Sequence, residues 1–385
     1  VALISEGQSM LAPQTSIDFG MVVRTPMIEI TTIGAGGGSI AWVDKGGLLN
    51  IGPESAGSTP GPVAYGQGND RPTVTDANVV LGRIDPESPI GGKLERLDVD
   101  AAARAIDRHI GEKLNLTTLE AAEAILTVAN SRMAGAIRLV SIERGFDPKR
   151  FAFMPFGGGG ALHTGAMLKD VGIGRAIVPR YPGVTSAMGC VIADMRHDFV
   201  QTINALTAGL DVVDLAKTMQ GHIDEGLALL KAAASPFERE DVLVELDMAY
   251  VGQTHTVAVP LPVFVENGRV TTPTVADIET AFDAAYRATY GRLLKSGARR
   301  VMNLRTAVIG RRPKFDLATL APKGGSLEDA RIGTRQVHFQ DAWHDTAIFD
   351  RLALPVGAVV RGPAILVQPD TTVLVDPGLK AEVDT

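Results

Sequence analysis

The chain has 385 residues, 45% of them hydrophobic and 21% charged, enough to bury two or three cores and too apolar for wholesale disorder. Its 37 Lys and Arg against 44 Asp and Glu leave a net charge of -7 and no basic stripe, which argues against nucleic acid as a partner. The single cysteine, Cys190, excludes an internal disulfide or a cysteine zinc cluster and fits a reducing, cytoplasmic setting. Lying in the small-residue run Ser186 to Ala193 with no His or cation beside it in sequence, it reads as a buried structural thiol rather than a nucleophile. No apolar run approaches the roughly 18 residues of a membrane helix, and no signal peptide is visible, so a membrane is not expected as a partner.

The chain opens on Val1-Ala2-Leu3-Ile4, a β-like run with no turn or cap ahead of it, as expected of a strand whose partner lies upstream in a longer protein. Further short strands are expected at Met21 to Arg24 and Met27 to Thr32, before the glycine loop Gly34 to Ser39. Ile40 to Asp44 and Leu48 to Ile51, around Lys45-Gly46-Gly47, read as a β-hairpin. The stretch Gly52 to Pro62 is too rich in Gly and Pro for helix or central strand, and an ordered loop of that length points to function. Thr73 to Leu81 then opens a helix, with Thr75 or Asp76 as its cap; the competing role for Asp76 is an acid or a magnesium ligand.

The clearest helix runs from Thr118 to about Arg144, where Ala122, Ile125, Leu126, Ala129, Met133, Ile137 and Val140 form one apolar stripe that Gly145 ends. After it, Phe151 to Met154, the run Gly157-Gly158-Gly159-Gly160, the helix Ala161 to Val171 and the strand Arg175 to Pro179 make a parallel β-α-β step. A strand passing through glycines into a helix brings bare N–H groups and a positive helix end to one point, as adenine nucleotides and phosphates require. The same glycines also serve a plain close-packing turn. His163, just beyond them, either touches a ligand or bonds to the helix-end backbone. Pro182-Gly183-Val184 is expected to turn into a helix around Cys190, and Asp194 to Ile203 to form a strand.

Character changes near Leu210. Helices over Val212 to Ala234 and Val275 to Tyr290 flank the strand pair Val242 to Tyr250 and His255 to Pro260. From Val301 on, the pattern is alternating or β-branched, at Val301 to Ile309, Arg335 to Phe339, Thr346 to Phe349, Ala364 to Val367 and Thr371 to Val375, with Leu317 to Arg331 linker-like. The expected domains are therefore 1–207 and a β-rich 208–385.

Several standard chemistries lack their residues. Neither glycine loop fits G-x-G-x-x-G, no Walker sequence occurs, and no G-x-S-x-G elbow supplies a serine nucleophile, although Ser39 retains a possible role as a phosphate ligand. His338 and His344 are the closest histidines and form no metal motif, so metal ligands stay unassigned, and His197-Asp198 reads as structural.

The segments Thr32 to Ala41, Gly52 to Gly57 with Pro60 to Pro62, Pro72 to Asn78, Ala136 to Arg138 with Glu143 to Gly145, Phe156 to His163, Tyr250 to Gln253 and Gly362 to Ile365 closely resemble the hydantoinase A/5-oxoprolinase family. The motifs are independent, correctly ordered and cover essentially the whole chain. The resemblance implies an α/β fold: the second half of an actin/hexokinase/Hsp70-like (ribonuclease-H-like) ATPase, followed by a β-rich α+β C-terminal domain. It implies ATP and Mg2+ as cofactors, and phosphorylation of a ring carbonyl so that a cyclic amide of hydantoin or 5-oxoproline type is hydrolysed. It also implies a hydantoinase B-type partner subunit. The alternatives are a subunit of an acetone- or acetophenone-type ketone carboxylase, and an inactive structural subunit completing another chain's site.

Residue by residue, the resemblance gives Gly157, Gly158, Gly159 and Gly160 the adenosine side of the nucleotide, and turns Gly36, Gly37, Gly38 and Ser39 to the same cleft. Asp76 and Asn78 become candidates for the substrate or metal side. The superfamily's two phosphate-binding hairpins and its first-half magnesium residue come before the position equivalent to Val1. The chain is thus expected to be a C-terminal portion that needs an N-terminal half as partner and has no turnover alone.

Overall fold

A computed structural model of the protein describes residues 1–12, 15–16, 22–23, 27–92, 94–263, 265–266, 269–294, 297–314, 316–322, 324–340 and 342–384. The chain divides into two compact units, Val1–Ala187 with Leu317–Thr385, and Met188–Asp316. The compact units part at Ala187 and Leu317, whereas the sequence changes character near residue 207. The β-rich tail is split: its last 69 residues return to the first unit.

In the first unit, Ser39–Val43 pairs antiparallel with Leu49–Ser55 as the expected hairpin. The Val74–Val80 and Val99–Ile106 helices pack with the long Thr118–Val140 helix. The long helix begins at Thr117 in a capping box with Glu120 and ends at Ser141, just before the short turn Ile142–Arg144. A four-stranded sheet closes the unit in the order Arg331–Phe339, Ala342–Asp350, Ala364–Gln368, Thr371–Val375. Its middle pair is parallel and the outer pairs are antiparallel.

One apolar cluster joins Val74, Leu81, Ile106, Ile125 and Leu126 to Val337, Ile348, Ile365 and Leu374. This explains why the tail does not stand alone: one face of its sheet completes the core of residues far earlier in the chain. Each large side chain so buried contributes about 1.5–3 kcal/mol.

By length and composition the Thr118–Arg144 segment, 27 residues, is long and apolar enough to cross a membrane, contrary to the expectation from sequence. Ala122, Ile125, Leu126 and Ala129 on its stripe, with Ala121 beside them, are instead buried in the core cluster.

The expected parallel strands at Phe151 to Met154 and Arg175 to Pro179 reduce to a single parallel bridge, Phe153 to Ala176. Pro155 and Pro179 lack the N–H groups that would extend it. The opening run finds a partner downstream: the Val1 amino group donates to Thr31 O (2.7 Å) and Thr31 N–H donates to Val1 O (2.8 Å). Val22–Val23 is a short strand, whereas the ends of that expected element, Met21 and Arg24, lie outside the described residues.

The second unit is an antiparallel sheet in the order Val257–Pro260, Arg239–Tyr250, Arg299–Arg311, Met195–Leu206. The Val212–Ala232 and Val275–Tyr290 helices share its core, where Met219, Leu246, Ile278, Phe282 and Leu304 are buried. Cys190, expected to be buried, is exposed on the Thr185–Ile192 helix, whose residues include none that are buried.

Candidate functional site

The Val74–Val80 helix is set at its start by a carboxylate. Thr73 caps it, and Asp76 accepts from Thr73 N–H (2.8 Å), Thr73 Oγ1 (2.8 Å), Val63 N–H (3.1 Å) and Ala64 N–H (2.8 Å). Asp76 is 0% exposed, and its carboxyl is pushed up from the usual range by burial against the pull of those four donors. It thereby joins the helix to the turn Val63–Tyr65 that follows the Gly/Pro stretch. Fully buried and absent from the cavity wall, the carboxylate is closed to a substrate, which favours the capping role over the catalytic one.

Two residues along, Asn78 is 2% exposed, and its amide nitrogen donates to Val74 O (3.0 Å). That bond fixes the amide's orientation and leaves Oδ1 buried without a hydrogen-bond partner.

The first glycine loop lies against the same helix. Thr75 N–H donates to Gly37 O (2.8 Å), and a side chain at Gly37 would begin 2.7 Å from Thr75 Oγ1, closer than any Cβ tolerates. Ser39, expected to face the cleft, closes its own loop: its hydroxyl accepts from Gly36 N–H (2.9 Å) and donates to Gly34 O (3.2 Å).

The second glycine loop is held by the terminal hairpin. Thr371 Oγ1 donates to Gly158 O (3.1 Å) and more weakly to Gly157 O (3.4 Å), while Gly157 N–H donates to Pro182 O (2.7 Å). Asp370 accepts from Gly183 N–H (2.8 Å), and Gly91 N–H donates to Pro369 O (2.8 Å). Behind the loop, Arg351 donates to the carbonyls of Val178 (2.9 Å), Pro179 (2.6 Å) and Arg180 (2.7 Å). Burial, with Arg180 nearby, pushes its guanidinium down to about 10.

Past the glycines, the turn Gly160–His163 buries His163. Its Nδ1 lies 2.7 Å from Asn130 Oδ1, so the bond is to a side chain of the long helix and not to backbone. An amide oxygen only accepts, so Nδ1 carries the proton and Nε2 keeps a lone pair. Burial, then the nearby Arg83 charge, pushes the imidazole down to about 4, so it is neutral at pH 7. Arg83 is itself paired with Glu123 (2.9 Å), which also meets His338 Nδ1 (3.1 Å) and ties the long helix to the tail sheet.

These parts converge on a cavity of about 210 Å³. Gly37, Gly38, Asn78, Gly159, Leu162 and His163 line it, with Gly57, Tyr65, Thr75 and apolar side chains such as Ile84, Ile90 and Leu97. Gly36, Ser39, Asp76, Gly157, Gly158 and Gly160 support these walls without lining them. Among the described residues, neither Lys, Arg, Asp nor Glu lines the cavity. The hairpin residues Asp370 and Thr371 were not foreseen, because nothing in Pro369-Asp370 beyond a turn signal marks contact with a loop some 210 positions away.

The two glycine loops meet at one cavity within a mixed α/β fold of ATPase-like type. The family profile described as Hydantoinase/oxoprolinase matches residues 1–199, and that of the Hydantoinase/oxoprolinase C-terminal domain matches residues 225–385. The chain belongs to the hydantoinase/oxoprolinase family and covers its C-terminal portion.

Caprolactamase subunit alpha of Pseudomonas jessenii is 32% identical over 94% of this chain and 52% of its own length. The crystal structure of the ATP-dependent caprolactamase from the same organism superposes with a TM-score of 0.73 at 31% identity, over 97% of this chain and 54% of that one. A nucleotide-free acetone carboxylase, described as an ATP-dependent carboxylating enzyme, superposes with a TM-score of 0.80 at 25% identity, over 99% and 55%. The chain spans about half the length of the curated relatives it matches.

Proposed function

We propose that the chain is the C-terminal portion of an ATP-dependent enzyme that opens a cyclic amide. The carrying observation is the cavity itself, in which both glycine loops, Asn78 and His163 meet with no charged side chain on the walls. Backbone at Gly37, Gly38 and Gly159 permits close approach of a flat ring, and the apolar walls suit its faces. The uncharged part of a nucleotide fits this make-up, and Gly159 is the second-loop residue that would touch it.

Bound ATP would transfer its terminal phosphoryl group to the ring carbonyl oxygen and leave ADP. With one water added at that carbon and the ring nitrogen departing as a protonated amine, an acyl phosphate would remain, which a second water splits to carboxylate and phosphate. This chain's part is to bind and orient the ring and to exclude water. Among the described residues no cation lines the cavity to meet a triphosphate, so phosphate contacts fall to a partner segment of the N-terminal-half type, and we infer that the isolated chain has no turnover. For magnesium the residues do not fit. Among the described residues no group of three His, Cys, Asp or Glu side chains converges, and both Asp76 oxygens are taken by backbone and Thr73 donors. We therefore assign it no ligand here.

A hydantoinase B-type subunit completes the assembly in this reading, by analogy with the subunit naming of the caprolactamase relative. The higher TM-score of the acetone carboxylase favours a second reading, a ketone carboxylase subunit. One experiment separates them: ATP consumption by the assembled protein with hydantoin, 5-oxoproline or ε-caprolactam, against acetone with bicarbonate. Consumption coupled to ring-opened amino acid supports the first reading. Consumption that needs bicarbonate and a ketone replaces it with the second.

A further inference from the structure

Among the cavity's polar groups, which include the Tyr65 and Thr75 hydroxyls, two side chains offer acceptors. Asn78 Oδ1 is buried, and its own nitrogen is committed to Val74, so it has only acceptance to offer. His163 lines the same space with Nδ1 committed to Asn130, so Nε2 is the nitrogen left for a ligand. The neutral ring makes that nitrogen an acceptor as well. Leaving a buried acceptor without a donor is destabilising, so a ligand that supplies one gains what the empty site lacks.

We propose that this cavity reads uncharged hydrogen-bond donors, with Asn78 Oδ1 and His163 Nε2 accepting from the N–H or O–H groups of a flat neutral ring, and that it turns anions away. Among the described residues no cation lines the cavity, so a phosphate or carboxylate there would carry unbalanced charge. The assignment rests on the functional reading above in one respect, the two rings that reading brings to the protein: the nucleoside face of ATP and the ring amide of the substrate. Both present N–H donors on a planar ring, and about 210 Å³ has room for one such ring but not for a whole nucleotide triphosphate.

The test is a binding titration of the 385-residue chain near neutral pH, which needs no turnover. Two probe pairs differ by their donors: adenosine against purine riboside, which lacks the exocyclic amine, and hydantoin against 1,3-dimethylhydantoin, which lacks both ring N–H groups. In at least one pair the donor-bearing probe should bind at least about tenfold tighter. A response in the adenosine pair alone identifies the nucleoside face, and one in the hydantoin pair alone identifies the substrate ring. In Asn78→Leu the preference should shrink to about threefold or less, and inorganic triphosphate should displace neither probe in the unaltered chain.

Equal binding within both pairs overturns the proposal, as do no binding by any probe, displacement by triphosphate, or a preference that survives Asn78→Leu undiminished. If that variant does not fold, the two pairs on the unaltered chain decide alone. An assembled protein that consumes no ATP while the donor preference persists retires the enzymatic reading and keeps this one.

Discussion

Asp76 and Asn78 stand two residues apart on one short helix, yet their surroundings give them opposite roles. Replacing Asp76 by Ala strands Val63, Ala64 and Thr73 N–H groups in a site that is 0% exposed, and should cost at least about 3 kcal/mol in chemical denaturation. A stable Asp76→Ala protein that has lost only turnover would return the carboxylate to catalysis. His163 sets a pH dependence. Neutral when folded down to about pH 4, it is protonated in the unfolded chain below about 6.5, so between these values the unfolded state holds the extra proton. Stability must therefore fall as pH drops through that window, by about 3 kcal/mol at its lower end. Denaturation of the protein and of His163→Gln at pH 7.5, 6 and 5 checks this, since the variant should lose that part of the slope; parallel slopes would contradict it. From sequence the helix start was visible with Thr75 or Asp76 as its cap, whereas the cap is Thr73 with Asp76 closing the box, and the donors from Val63 and Ala64 were not visible because they come from another loop.

The local elements were the most legible part. The Thr118–Val140 and Val275–Tyr290 helices carry Thr-led capping boxes and follow from periodicity, and the Ser39–Val43 hairpin from its Lys45-Gly46-Gly47 turn. Pairings across long separations were not legible, and the terminal hairpin is the case that matters. Thr371 holds the second glycine loop through one hydroxyl, with Asp370 and Arg351 bracing the segment behind it. Thr371→Val keeps the side chain's shape and removes that donor, so it should weaken probe binding by about three- to tenfold, or about 0.5–1.5 kcal/mol. The accompanying change in melting temperature should be a few degrees at most. Unchanged affinity would make the hairpin a passive neighbour of the loop.

Across the whole molecule, the sequence places a change of character near Leu210, but the compact units part at Ala187 and again at Leu317. Sequence order hides this because the strands from Arg331 to Val375 complete a core begun at Ile51 and Val74. Each unit has its own buried cluster, so Phe282→Ala should cost the Met188–Asp316 unit about 3–5 kcal/mol and leave probe affinity at the cavity unchanged. Calorimetry with a parallel titration would check both halves of that statement.

The functional account stands or falls on whether the glycine-walled cavity serves ATP turnover only in a completed protein. Gly159 lines the cavity, and a side chain there would meet nothing within 4 Å, so Gly159→Val should fill the space without disturbing the fold. Phosphate release from ATP should then be absent from the 385-residue chain alone. It should appear when an N-terminal half and a cyclic amide are added, and vanish again with Gly159→Val. Steady release by the chain alone, or release by the completed protein that Gly159→Val leaves intact, would contradict the account.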